Sequence, residues 1–265
     1  MICKDKIKDN IFPYLELSSD SQPDLGKGAG GDSIKLVDIA AEKAIVETLK
    51  NHNITFTLIS EESGVKKFEG DTLPFYVTVD PIDGTTNLVH KIPFYCSSIA
   101  ISTQPVLSDV SIGMVVDLFH DITYFAQKGE GAYCNGKKIT PSTCEDLGNS
   151  IVGLDVNNHK TKDFIPKVTY LIKKIKHIRH FGANALELCY VADGKTEAFV
   201  DIRGKLRTTD LAASYLIVIE AGGILKTLEN YTLEAKLDPK TNVNFIASGN
   251  NIISEKIFNL LKKNY

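Results

Sequence analysis

Two aspartates three residues apart, Asp80 and Asp83, mark the part of this chain where the residue types most clearly indicate chemistry. They belong to the segment Asp-Pro-Ile-Asp-Gly-Thr-Thr-Asn (80–87), which directly follows a β-rich run at 75–79. Carboxylates bind hard cations, a glycine lets backbone N–H groups approach an anion, and a threonine hydroxyl can orient a water. The segment therefore predicts a metal-dependent phosphatase.

Two further acidic segments lie where predicted strands end or helices begin. Glu61 lies in Ser-Glu-Glu-Ser-Gly (60–64) after a strand, a segment that on its own favours an exposed acidic turn. Asp210 lies at the predicted start of a helix, where an N-cap role is compatible with metal binding. If the fold gathers both with Asp80 and Asp83, the four carboxylates cannot all ionise without cations.

An all-oxygen ligand set predicts Mg²⁺, with Mn²⁺ as an alternative, rather than zinc. Two such ions about 4 Å apart could clamp the attacking water and the leaving oxygen of a phosphate ester. The five cysteines are scattered singly without a C-x-x-C pair, which supports neither a zinc site nor a disulfide framework.

Composition limits the classes of partner. A net charge of −3 gives no electrostatic case for nucleic acid, and no apolar run is long enough to span a membrane. The first residues lack the apolar core of a signal peptide, so we expect a cytoplasmic protein. A small anionic substrate is compatible with the net negative charge, because a local metal cluster outweighs it.

Apolar periodicity predicts two lobes of one folding unit. An α+β lobe (1–148) would carry the metal-binding and mobile loops, and an α/β lobe (149–265) would follow. The expected helices are 2–18 with a break at Pro13, 37–51, 162–174, 184–192, 210–221 and 252–263. The expected strands are 55–59, 76–79, 96–102, 110–117, 122–127, 137–139 after an Asn-Gly turn, 151–155, 177–181, 197–202 and 243–247.

The ordered motifs resemble those of the inositol monophosphatase superfamily. They are 80–87, 209–213 with 220–223, 60–63, the hairpin 129–136 and the turn 181–187, and they span most of the chain. The resemblance implies a five-layer αβαβα sandwich of the sugar phosphatase type, usually a homodimer. Its members hydrolyse phosphate monoesters with Mg²⁺ by attack of a metal-activated water.

The resemblance also implies roles for individual residues. One ion would be held by Glu61, Asp80 and the Ile82 carbonyl, and a second by Asp80, Asp83 and Asp210. Catalysis would fall to Glu61, Thr85 and Asp83. Substrate would contact Asp83, Gly84, Thr85, Gly182 and Ala183.

The chain departs from the eukaryotic members, because Thr209 replaces their usual tryptophan and the chain contains no Trp. The basic segment 201–207 is similar to the archaeal branch with dual fructose-1,6-bisphosphatase and inositol-1-monophosphatase activity. Arg203 and then Arg179 are our candidates for binding a second phosphate, since a guanidinium suits bidentate phosphate contacts. Asp32, in the glycine-rich loop 20–34, is the candidate ligand of a third ion.

Three other interpretations stay open at this stage. The chain could resemble 3′-phosphoadenosine 5′-phosphate phosphatases of the same superfamily, or be a non-catalytic metal-dependent binding protein. An aspartyl-phosphate enzyme of the haloacid dehalogenase type is disfavoured, because it needs Asp-x-Asp and this chain has Asp-x-x-Asp. The six histidines lack metal-ligand spacing, and we expect none to be catalytic.

Overall fold

The computed structural model describes residues 2–15, 25–31, 35–157 and 164–262. Its helices are α1 (Ile2–Leu15), α2 (Leu36–Asn51), α3 (Thr85–Val89), α4 (Phe164–Ile172), α5 (Asn184–Ala192), α6 (Thr208–Ala221) and α7 (Asn251–Lys262). Its strands are β1 (Phe56–Ser60), β2 (Gly64–Phe68), β3 (Phe75–Asp83), β4 (Cys96–Ser102), β5 (Val110–Asp117), β6 (Ile122–Gln127), β7 (Gly131–Cys134), β8 (Lys137–Lys138), β9 (Ile151–Leu154), β10 (His177–Arg179), β11 (Ala198–Arg207), β12 (Ile224–Lys226) and β13 (Asn242–Ser248).

Two sheets and three helical layers alternate. The eight-stranded sheet has the order β2-β1-β3-β4-β5-β6-β7-β8, and only its β1–β3 pair is parallel. The five-stranded sheet has the order β10-β9-β11-β13-β12 and mixes parallel and antiparallel pairs. Helices α1 and α2 cover the first sheet, α5 and α6 lie between the sheets, and α4 and α7 cover the second. The predicted five-layer αβαβα sandwich is confirmed.

Each interface between layers is filled by buried apolar side chains. The largest core lies between the two sheets around α5 and α6, and the outer helices enclose two further cores. The core between the sheets buries Leu211 and Phe245. The core beneath α1 and α2 buries Ile45 and Val77, and the core beneath α4 and α7 buries Phe164 and Ile257. Because sheets cover α5 and α6 on both sides, most residues of these two helices are buried, and their sequences are nearly continuous apolar runs.

Several element boundaries differ from the sequence-based expectation. Helix α1 continues through Pro13, where a break was expected, and residues 16–18 lie outside the described residues. Strand β11 extends to Arg207 and passes into α6 without a loop. Strands β2, β7 and β12 and helix α3 were not among the expected elements, although β7 lies within the hairpin motif 129–136. The Asn135-Gly136 turn is confirmed, with both residues at positive φ between β7 and β8.

The strands of the first sheet all come from residues before 139, and those of the second from residues after 150. Helix α6, from the second half of the chain, packs on strands of the first sheet. The division into lobes 1–148 and 149–265 stays a prediction. Among the described residues, no helix combines the length and apolar character needed to cross a membrane.

Gly113 allows α6 to lie very close to the first sheet. A β-carbon at this residue would lie 2.5 Å from the carbonyl oxygen of Ala213 on α6. Ala213 follows Asp210 by less than one helical turn. The position of Asp210 therefore depends on the small residue in β5.

The substitution Gly113→Ala should destabilise the protein by about 1–3 kcal/mol, because the added methyl group forces the sheet and α6 apart. The measurement is urea unfolding of the variant beside the wild type. Gly148→Ala is the control, since the atoms nearest to its β-carbon would be side-chain atoms of Asp146, at 3.2 Å or more. Equal stability of the two variants would contradict the close approach at Gly113.

Candidate active site

A cavity of about 510 Å³ opens where β1, β3 and the first turn of α6 converge. Its walls include many of the residues that the sequence singled out, namely Glu61, Asp80, Ile82, Asp83, Gly84, Thr85, Gly182 and Asp210. Arg207 and Lys35 contribute positive charge to the same walls. The site thus combines several chain segments from both halves of the sequence.

A β-bulge near the end of β3 brings its two aspartates to the same cavity. Asp80 pairs with Ser98 of β4, whereas Asp83 pairs with Cys96, so β3 has one residue more than β4 over this stretch. In a regular strand, residues three apart point to opposite faces. The bulge cancels this alternation, and both carboxylates line the cavity.

Glu61, Asp80 and Asp210 form a tight carboxylate cluster. One oxygen of each lies within 4.8 Å of the others, and all three residues are buried. Glu61 follows β1, where its N–H donates to the Val79 carbonyl of β3. Asp210 is the third residue of α6 and accepts from the Thr209 hydroxyl at 2.8 Å. Asp210 does not take the N-cap role that the sequence allowed, since α6 begins at Thr208 and Arg207 holds the N-cap position.

The cluster fits a hard divalent cation. Asp80 Oδ1 is buried and has no hydrogen-bond partner within the described part of the chain, an arrangement that is costly for a carboxylate oxygen. All ligating groups are oxygens, which Mg²⁺ prefers. The sequence-based expectation of an oxygen-liganded metal site is therefore supported by the geometry around Asp80.

The electrostatic environment of Asp80 also favours binding of a positive charge. Burial raises the pKa of Asp80 well above its ordinary value. The negative charges of neighbouring carboxylates raise it further, in the order Glu61, Asp210 and Asp83, and Arg207 opposes them. A cation bound among these groups would stabilise their ionised forms.

Asp83 is held by the start of α5. Its Oδ2 accepts the Ala185 N–H at 2.6 Å and lies 3.8 Å from the Cys96 sulfur. Burial and then the charge of Asp210 raise the pKa of Asp83 to about 7, although the Ala185 N–H lowers it. The helix between the sheets thus fixes the orientation of this carboxylate.

Gly84 makes the turn from β3 into α3. Its φ of +88° lies in the left-handed region. A β-carbon there would also lie 3.0 Å from that of Ala183 and 3.1 Å from the Phe94 carbonyl oxygen. Any larger residue would be strained by this backbone conformation and crowded by these two atoms.

Thr85 begins α3 and contacts Asp38, a residue that the sequence analysis missed. The Thr85 hydroxyl lies 3.0 Å from Asp38 Oδ1 and 2.8 Å from the Ile82 carbonyl oxygen. Asp38 Oδ2 accepts the Lys35 N–H, and burial raises the pKa of Asp38 to about 6. In the sequence, an aspartate in the first turn of a helix indicates only capping, so nothing distinguished this residue.

Gly182 and Ala183 form the turn that precedes α5. The Gly182 N–H donates to Glu187 Oε1 at 3.0 Å, and Asn87 donates to the Phe181 carbonyl at 2.6 Å. Gly182 lines the cavity, whereas Ala183 is fully buried behind Gly84.

A second cavity of about 360 Å³ adjoins the first and shares Gly182 with it. Its other walls include Asp155, Asn157 and His180. His180 lies 3.8 Å from Asp155 Oδ1, and His90 lines the first cavity. Two of the six histidines, which sequence spacing left without a role, therefore face the site.

Arg203 lies beside this second cavity in a buried ion-pair network. Its guanidinium contacts Asp201 Oδ2 at 2.6 Å and Asp155 Oδ2 at 2.5 Å. A bulge in β11, with Gly204 at positive φ, places Arg203 there. Arg179 lies on exposed β10 and donates to the Ile178 carbonyl, and it lines neither cavity. Asp32 lies outside the described residues, so its predicted role stays a prediction.

Comparison with known proteins identifies the family. The model of the inositol monophosphatase family matches residues 6–264. The chain belongs to this family. It is therefore a hydrolase of a family of metal-dependent phosphatases.

Relatives from distant organisms support this membership. The chain is 36% identical to a fructose-1,6-bisphosphatase/inositol-1-monophosphatase of Methanothermobacter thermautotrophicus, over 89% of this chain and 85% of that protein. It is 30% identical to human inositol monophosphatase 1, over 87% of this chain and 82% of that protein. The solved structure of the MJ0109 gene product, an inositol monophosphatase–fructose 1,6-bisphosphatase, has a TM-score of 0.83 at 29% identity and covers 97% and 95% of the two chains.

In excess chelator, the free energy of unfolding should fall as pH rises from about 4 to about 7. The folded protein then keeps the Asp83 proton up to about pH 7, whereas the unfolded chain releases it near 3.8. A group of this kind stabilises the fold fully below its unfolded pKa, and the contribution is lost as pH rises through its folded pKa. The slope is up to about 1.4 kcal/mol per pH unit for each such group.

Urea unfolding in EDTA at several pH values measures this slope. Asp83→Asn should flatten it, because the substituted side chain does not titrate, and saturating Mg²⁺ should also flatten it. A slope that is the same in Asp83→Asn and the wild type would show that Asp83 does not retain its proton.

Proposed function

We propose that this chain is a Mg²⁺-dependent phosphatase of fructose 1,6-bisphosphate, inositol 1-phosphate or both. The observation that carries the proposal is the convergence of Glu61, Asp80 and Asp210 beside the turn at Gly84. The relative from Methanothermobacter thermautotrophicus, whose name includes both activities, supports this choice of substrates.

The metal-binding residues would act as two sets. Glu61, Asp80 and the Ile82 carbonyl would hold one Mg²⁺, and Asp80, Asp83 and Asp210 would hold another. Asp32 is the candidate for a third ion, and Mn²⁺ is a candidate replacement. Bound ions of this kind neutralise phosphate charge and lower the pKa of an attacking water.

Thr85 would orient the attacking water. A hydroxyl has one proton to donate, and both contacts of the Thr85 hydroxyl, Asp38 Oδ1 and the Ile82 carbonyl, are acceptors. Its proton is therefore directed towards one of them, and its lone pairs can accept a hydrogen bond from water. Glu61 would accept the proton that this water loses on attack.

The turn at Gly84 would hold the phosphate. Its left-handed backbone and the following start of α3 can direct the Gly84 and Thr85 N–H groups at an anion. The leaving sugar or cyclitol would extend towards Gly182 and the adjoining cavity, where Asp155, Asn157 and His180 can bind hydroxyl groups.

The substitutions Asp83→Asn and Asp210→Asn should each reduce phosphate release by about a thousandfold or more at saturating Mg²⁺, because each removes charge that transition-state stabilisation requires. The measurement is a phosphate-release assay with fructose 1,6-bisphosphate, inositol 1-phosphate and 3′-phosphoadenosine 5′-phosphate. Asp117→Asn is the matched control, since Asp117 is equally buried but lines neither cavity. Full turnover by Asp210→Asn, or by the wild type in excess chelator, would contradict the proposal.

Arg203 allows a test of substrate preference. If its guanidinium reaches a second phosphate, Arg203→Ala should lower kcat/KM for fructose 1,6-bisphosphate by about tenfold more than for inositol 1-phosphate. Arg203→Lys keeps a charge beside Asp155 and Asp201, and Lys205→Ala controls for charge on the same strand. An equal decrease in kcat/KM for both substrates would show that Arg203 does not contact a second phosphate and serves only in its buried ion pairs.

A homodimer and a cytoplasmic location remain expectations from the sequence. The same holds for the absence of nucleic-acid and membrane partners. The proposed chemistry depends on none of these expectations.

A further inference from the structure

The Arg207 side chain lies among the carboxylates that are predicted to bind metal. Its Nη2 is 2.6 Å from Glu61 Oε1, and its Nε is 3.4 Å from Asp210 Oδ2. Its side chain is only 13% exposed. These contacts join Arg207 to two of the three members of the cluster.

The surrounding backbone contacts hold the Cα position of Arg207 in place. Arg207 ends β11 and caps α6, and the next residue, Thr208, is tied to the loop before β13 through the Thr241 and Asp238 carbonyls. Gly30 covers the guanidinium from the other side, since a β-carbon there would lie 2.5 Å from Arg207 Nη1. The guanidinium is therefore enclosed rather than swinging in solvent.

Arg207 contacts two of the carboxylates that a bound cation would also need. A guanidinium donates to carboxylate lone pairs that a metal ion would otherwise use, and a guanidinium and a metal ion beside the same carboxylates would repel each other. We propose that Arg207 is an internal competitor of Mg²⁺, which offsets the cluster's negative charge and sets the Mg²⁺ concentration at which the site fills. This inference rests on the proposed function in one respect, that the cluster binds Mg²⁺.

Thermodynamic linkage between the Arg207 contacts and Mg²⁺ binding has two consequences that can be measured without an activity assay. If the Arg207 contacts and Mg²⁺ exclude each other, removal of the guanidinium must tighten Mg²⁺ binding. The same removal must destabilise the chelator-treated protein, because the carboxylates then lack a counter-charge.

The test is isothermal titration of Mg²⁺ into the full-length wild type, Arg207→Met and Arg207→Gln. Both variants should bind Mg²⁺ about tenfold more tightly, equivalent to about 1.4 kcal/mol. In EDTA, both should unfold at a lower urea concentration than the wild type. Lys205→Met is the matched control, because it removes one positive charge from the same strand at an exposed position, and it should change neither quantity.

Each result bears on the inference. Unchanged or weaker Mg²⁺ binding in both Arg207 variants, with normal binding by the wild type, would overturn this inference alone. No Mg²⁺ binding by the wild type would overturn it together with the proposed function. If Arg207→Met does not fold, Arg207→Gln, which keeps a hydrogen-bond donor, decides the outcome.

Discussion

Mutual repulsion among the buried carboxylates around Asp80 is the constraint on which the rest of the site depends. Burial raises the pKa of the Asp80 carboxyl most, and the negative charges of Glu61, Asp210 and Asp83 raise it further. Such a group is stable only with protons, a guanidinium or metal cations beside it. The chain supplies the guanidinium itself through Arg207, and the family to which it belongs uses Mg²⁺.

The layered fold supplies the rigidity that this repulsion requires. Glu61 directly follows β1, and Asp80 lies in the parallel neighbour β3, whereas Asp210 and the N–H that holds Asp83 come from the two helices between the sheets. One large apolar core surrounds those helices, and another covers the opposite face of the first sheet, so the carboxylates cannot readily move apart. Gly84 and Gly113 lie so close to neighbouring elements that a β-carbon at either residue would be crowded.

Prediction from sequence was most successful where one physical signal dominated. The apolar runs of β3 and α6 and the Asn-Gly turn each predicted their element correctly. Strand β2 was missed because it is an edge strand with Lys66 and Lys67 exposed, so it lacks an alternating apolar pattern. Asp38 was missed because its contact with Thr85 joins residues 47 positions apart, and local spacing contains no trace of it.

The sequence by itself determined the chemistry, because oxygen ligands, a glycine turn and a hydroxyl at fixed spacing have few other uses together. Tertiary structure decided which of these groups meet. The bulge in β3 turned Asp80 and Asp83 to one cavity, and the direct passage of β11 into α6 brought Arg207 and Asp210 to Glu61. It also placed Arg203 between Asp155 and Asp201, which its basic segment did not indicate. Contacts of this kind depend on strand register and layer packing, and these are properties of the whole chain rather than of any motif.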